Sequence, residues 1–298
     1  MSPETRGRRQ GPDFLCIGAP KCGTSWLHRQ MTQHRQVWLP LVKELHYFDS
    51  RYPLPVAGTK AGSRNGVVGL FRGYPRDKIL RSFGKALKDL NPAQLAWAVR
   101  YFGGAQDDNW YLRIFDRPAG MRSGDFTTAY CALSAEAVAH ARRLAPDVRV
   151  VFLMRNPMDR AWSHARMLVP KLLGKPLADV SEAEFTTYLS HPAAQLRGRY
   201  LNTLETWESQ FPAEQIFTGF FDDIASRPEQ LLQSIYTFLE LDASPENLPP
   251  DVRKPVNVGN RRVPRAVPPA IHALLADLYR NDIKALQARF GGVTETWA

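Results

Sequence analysis

Short apolar runs alternate along the chain with longer stretches of helical periodicity. Residues 14–17 are followed by 24–33, residues 149–154 by 157–168, and residues 215–220 by 228–241. Apolar runs too short for a helix and bounded by turn residues suit strands buried on both faces, as parallel sheets require. The alternation predicts an α/β fold: a P-loop-like three-layer domain with a central parallel sheet and helices on both faces. Helix ends are marked as well. Asn156 is placed to cap a helix with Pro157 at its first position and Asp159 in its first turn, and Ser134 to cap 135–144. A final helix over 268–290 sets Ile271, Leu274, Leu275, Leu278, Ile283 and Leu286 on one stripe and ends at Gly291-Gly292.

Two stretches break the alternation. Residues 51–122 are rich in aromatic and basic side chains and interrupted by Pro and Gly; Ile79, Leu80, Phe83, Leu87 and Leu90 predict one amphipathic helix there. Residues 167–199 form a second insertion, in which Pro170, Pro176 and Pro192 are expected to limit helix length. Long insertions on a compact α/β core often build clefts and lids, and the chain is read as a single domain over 1–298 that carries both. A third irregular stretch, 242–267, holds Arg253, Lys254, Arg261, Arg262 and Arg265 among prolines.

The first strand–helix unit carries the most specific chemistry. Gly18-Ala19-Pro20-Lys21-Cys22-Gly23-Thr24-Ser25-Trp26 joins a strand to a helix, the order in which backbone N–H groups and a helix start converge on one anion. The spacing of Gly18 and Gly23 is that of a nucleotide-triphosphatase loop, but Thr24 takes the lysine position and Lys21 sits in mid-loop. A mid-loop lysine can lean over the far end of a bound phosphate group. Thr24 and Ser25 can offer hydroxyl and N–H donors, and Cys22 is either a thiol of lowered pKa beside the helix start or a small filler.

Charge fits an anionic ligand. The 298 residues include 39 basic and 29 acidic side chains, a formal net charge of +10, which favours nucleotides and sulfated or phosphorylated partners. Cys16, Cys22 and Cys131 are too few and too scattered for a disulfide framework or a zinc site. No apolar run reaches the ~18 residues of a membrane span. Residues 1–10 are polar and basic with no apolar stretch behind them, so a cytoplasmic protein without a membrane span is expected.

Two further segments join the loop. Arg149-Val150-Val151-Phe152-Leu153-Met154-Arg155-Asn156-Pro157 runs from strand to capped helix, with Ser163 eight positions after Arg155, and Lys43-Glu44-Leu45-His46-Tyr47-Phe48 follows the first helix. Together the three resemble the sulfotransferases that use 3′-phosphoadenosine 5′-phosphosulfate (PAPS), above all the bacterial members and the heparan-sulfating type. The resemblance runs from about Phe14 to Trp297 and implies a PAPS-dependent sulfotransferase, a nucleotide-binding enzyme whose nucleotide product is adenosine 3′,5′-bisphosphate and which requires no metal. It implies that Lys21, Cys22, Gly23, Thr24, Ser25 and Trp26 form the 5′-phosphosulfate loop, that Arg155 and Ser163 hold the 3′-phosphate, and that Arg262 closes on the nucleotide. Lys21 would steady the leaving group and Glu44 would be the general base, with His46 and Asp125 as rival bases.

Each assignment has a plainer counterpart. Arg155 can pair with Asp159, Ser163 can be a surface position, Glu44 can pair with Lys43 or Lys21, and His46 can be a packing residue. Trp97, Tyr101, Trp110 and Tyr111 can stack on an acceptor or fill the core. Leu45 stands where the heparan type usually has proline, which leaves the acceptor open between a small molecule and a carbohydrate. Two other functions predict different residues. A P-loop kinase or NTPase predicts lysine at position 24 and an acidic residue ending the second strand; the chain has Thr24 and Arg155. A non-catalytic polyanion-binding module needs no phosphate loop, and no aromatic-interleaved basic run supports nucleic acid as a partner.

Overall fold

The computed structural model describes residues 11–53, 91–256 and 266–297. The helix expected around 79–90, residues 1–10 and Arg262 lie outside the described residues. Four strands, β1 (Phe14–Gly18), β2 (Gly124–Phe126), β3 (Arg149–Met154) and β4 (Ile216–Phe220), form one parallel sheet in the order β2-β1-β3-β4. Every residue of β1 is buried, and so are Val150 to Met154 of β3. Since alternate side chains of a strand point to opposite faces, both faces of the sheet centre are covered. β2 lies outside the three strand–helix units of the sequence pattern, because three residues are too few to show a period.

Helices Thr24–Met31, Ala135–Leu144, Pro157–Leu173, Pro228–Phe238 and Pro269–Phe290 occupy the predicted places. The side chain of Asn156 accepts from the Met158 N–H at 2.9 Å, and Ser134 does the same for Ala137 at 3.3 Å. One expectation fails: Pro170 does not end its helix, which continues to Leu173. Proline there removes one bond close to the end of the helix. The turn is closed instead by Gly174, left-handed at φ 65°, whose N–H reaches the Pro170 carbonyl.

The insertion 167–199 is largely helical. Glu182–Leu189 starts with a capping box between Ser181 and Glu184, and Phe185 meets Trp162 of the preceding long helix edge-on at 4.9 Å. In the other insertion Trp97, Tyr101, Trp110 and Tyr111 are all buried. Trp97 donates to the Ile114 carbonyl at 2.8 Å, and Tyr111 stacks on Tyr47 with centroids 4.4 Å apart. These aromatics belong to the core.

Candidate active site

The strand order fixes where a ligand can sit. From β1 the chain next returns to the sheet at β2, and from β3 at β4, on opposite sides. The carboxyl ends of β1 and β3 therefore flank the switch point where open α/β sheets bind their ligands. A cavity of about 660 Å³ opens there. Its walls come from the loop after β1, the ends of β3 and β4, the 43–44 segment and residues 252–256.

The loop after β1 needs glycine at its end. Gly23 has φ 90°, and a Cβ there would fall 2.1 Å from Cδ1 of Ile224. Helix Thr24–Met31 begins at Gly23 with no side-chain cap and no acidic residue in its first turn. The partial positive charge of its first N–H groups is thus unopposed by any cap where Thr24, Ser25 and Trp26 line the cavity. Lys21 lines it too, with Nζ 3.8 Å from Sδ of Met167. Burial, reinforced by the charges of Arg155 and Lys171, holds the lysine pKa below its ordinary value. Cys22 turns the other way. It is fully buried with Sγ 3.6 Å from the Tyr200 hydroxyl, and burial pushes its thiol up to about 11. The activated-thiol reading is thereby corrected: Cys22 fills space beneath the loop.

Arg155 and Ser163 both reach the cavity wall. Arg155 also donates to Asp159 at 3.0 Å and lies over the Phe221 ring at 4.6 Å, so the ion pair and the cavity position coexist. The Trp26 indole N–H donates to the Val252 carbonyl at 2.8 Å, tying the loop helix to the segment that brings Arg253 and Lys254 to the wall.

Glu44 stands at the wall beside Thr128, whose N–H donates to its carboxylate at 2.8 Å and whose hydroxyl does so at 3.1 Å. Lys43 Nζ lies 3.5 Å from the same carboxylate and donates to Ser25 Oγ at 3.2 Å. His46 is not part of the wall, and its Nδ1 is 2.8 Å from Asp49. Burial works to lower its pKa, but the bond to Asp49 and the charges of Asp49, Glu44 and Asp125 prevail and raise it. Asp125 is buried outside the cavity among the hydroxyls of Thr127, Tyr130 and Tyr111, and burial pushes its pKa up to about 6. Of the three candidate bases, only Glu44 lines the cavity.

The sequence assigns Lys43 only a pairing with Glu44, and assigns no role at the cavity to Arg253 or Thr128. The basic run around 253 was a visible signal; nothing in the sequence marked Thr128. Of the two long insertions, the cavity takes only Met167 among the described residues. Among those residues no group of three or more His, Cys, Asp or Glu could hold a metal, and no helix is long and apolar enough to cross a membrane.

Comparison with known proteins follows the same line. A sequence model described as the sulfotransferase family matches residues 12–245. The chain is 24% identical over 162 residues to the bifunctional heparan sulfate N-deacetylase/N-sulfotransferase 1 of Caenorhabditis briggsae, a match that spans 49% of this chain and 19% of that protein. A sulfotransferase structure from Alicyclobacillus acidocaldarius superposes with a TM-score of 0.60 at 20% identity, covering 96% of this chain and 98% of that one. The sulfotransferase domain of the Synechococcus PCC 7002 olefin synthase gives 0.52 at 14% identity, covering 92% and 96%. These two superpositions establish a shared fold.

Proposed function

The chain belongs to the sulfotransferase family, and from that premise we propose that it moves a sulfuryl group from PAPS to a hydroxyl, or an amine, of a small-molecule or carbohydrate acceptor. The residues present fit such a donor. An uncapped helix start suits a 5′-phosphate, and Lys21, Lys43, Arg155 and Lys254 line the same cavity. The donor supplies the activated sulfuryl group; the chain binds, orients and moves protons. Lys21 offsets the negative charge that grows on the bridging oxygen as the S–O bond breaks. N–H groups and hydroxyls at Thr24 and Ser25 hold the 5′-phosphate, with Gly23 allowing close approach and Trp26 forming the side wall. Arg155 and Ser163 hold the 3′-phosphate, and Arg262 closes over the nucleotide. Glu44 takes the acceptor proton as the acceptor attacks in line. A cytoplasmic setting suits three buried free cysteines.

One observation carries the reading: Lys21, the uncapped helix start, Arg155, Ser163 and Glu44 meet in a single cavity. Thermal unfolding with added nucleotides tests it. Adenosine 3′,5′-bisphosphate at 100 times its Kd is expected to stabilise the fold by about 2.7 kcal/mol, with AMP and ATP far less effective at the same concentration. Equal stabilisation by AMP overturns the donor assignment, and preference for ATP favours the kinase reading.

A further inference from the structure

The loop that carries Glu44 has an unusual backbone, and its backbone N–H groups lean on one neighbouring segment. Glu44 and His46 are both left-handed, at φ 64° and 54°, a region that non-glycine residues keep only when their surroundings over-determine it. Four consecutive N–H groups of this loop bond to residues 126–130. Glu44 donates to the Phe126 carbonyl at 3.0 Å. Leu45 and His46 donate to the Thr127 hydroxyl oxygen at 2.9 and 3.4 Å, and Tyr47 donates to the Tyr130 phenol oxygen at 3.0 Å.

A hydroxyl has one proton and two lone pairs. For Thr127 and Tyr130 to accept from the loop, their own protons must point elsewhere. Both donate to Asp125, at 2.6 and 2.9 Å, and Tyr111 adds a third donor at 3.0 Å. With a pKa of about 6, Asp125 is a carboxylate at neutral pH and can only accept. A buried carboxylate is costly unless hydrogen bonds satisfy it, and three hydroxyl donors do so for Asp125. These bonds decide which way two hydroxyls face.

We infer that Asp125 is a positioning residue: it fixes the hydroxyl protons of Thr127 and Tyr130, whose lone pairs then hold the Glu44 loop with its carboxylate at the cavity wall. The inference rests on the reading of Glu44 as the base. Asp125 acts through Glu44 and touches no reacting atom.

A double-mutant cycle tests this, with turnover measured for wild type, Glu44→Gln, Asp125→Asn and the double variant, and adenosine 3′,5′-bisphosphate binding measured for each. Asp125→Asn is expected to lower kcat by ~10²-fold, the effect of misplacing a reacting group by about 1 Å, while nucleotide affinity stays within roughly twofold, well short of the tenfold that 1.4 kcal/mol represents. On the Glu44→Gln background the same change should subtract nothing further. Thr127→Val should reproduce the loss and Thr127→Ser should restore turnover, and this pair decides the matter if Asp125→Asn does not fold. Losses that multiply in the double variant, or a fully active Thr127→Val, overturn the inference alone. An active Glu44→Gln overturns the base assignment and the inference together.

Discussion

Lys21 lines the cavity from a half-buried position, its pKa lowered by burial and by the nearby charges of Arg155 and Lys171. A partly desolvated cation meets growing negative charge more strongly than a solvated one. Lys21→Ala is therefore expected to lower turnover by ~10²–10³, and its unfolding free energy without ligand should stay within about 0.5 kcal/mol of wild type. Turnover within a few-fold of wild type would remove the lysine from the mechanism. Arg155→Ala should weaken adenosine 3′,5′-bisphosphate binding more than Ser163→Ala does, since charge-assisted bonds are the stronger. Calorimetry should show AMP binding unchanged in both; equal losses for the two nucleotides would mean that the residues support the fold. Asp125 gives a pH signature. The unfolded chain releases its proton near 3.8, as an ordinary aspartate does, whereas burial makes the folded chain keep it to about 6. The folded state binds the extra proton across that window, so stability falls as pH rises through it, by about 3 kcal/mol at 1.36 kcal/mol per unit. The stability of wild type relative to Asp125→Asn should fall by up to that amount between about pH 4 and pH 6.5 in denaturant titrations; a flat difference would contradict it. Lys21, Arg155 and Glu44 could be picked out in the sequence because each follows a strand or a short motif. The fate of Cys22 could not, because it depends on Tyr200, 178 positions away.

Among the elements, those with local signals were legible. Asn156, Ser134 and the apolar runs of β1 and β3 act within a few residues of themselves, and their helices and strands lie where expected. β2 and the support of Glu44 were not legible, since three residues carry no period and the bonds that the loop N–H groups donate to Thr127 and Tyr130 span long separations. The turn into helix Thr24–Met31 makes the sharpest claim at this scale. Gly23 is left-handed and its missing Cβ leaves room for Ile224, so Gly23→Ala is expected to destabilise the protein by about 1–3 kcal/mol. The same change should weaken nucleotide binding, because the helix start would shift. Chemical denaturation showing less than about 0.5 kcal/mol of change would contradict the claim.

For the whole molecule, charge and topology set behaviour that no single residue does. A net charge of +10 attracts anions from a distance, and salt screens that pull. Raising ionic strength from about 0.01 to 0.15 M shortens the screening length from roughly 30 to 8 Å. The KM for the donor should then rise several-fold while kcat holds, and a KM indifferent to salt would mean that only short-range contacts matter. The α/β class was readable from the alternation, but not the order β2-β1-β3-β4, which depends on the side to which each crossover turns. That order has a consequence for synthesis. β1 is an inner strand made before either neighbour, since Phe14 pairs with Gly124 and Arg149. At ribosomal speeds its unpaired N–H and C=O edges wait on the order of ten seconds for their neighbours, so the nascent chain carries two open strand edges all the way from Phe14 to Gly124.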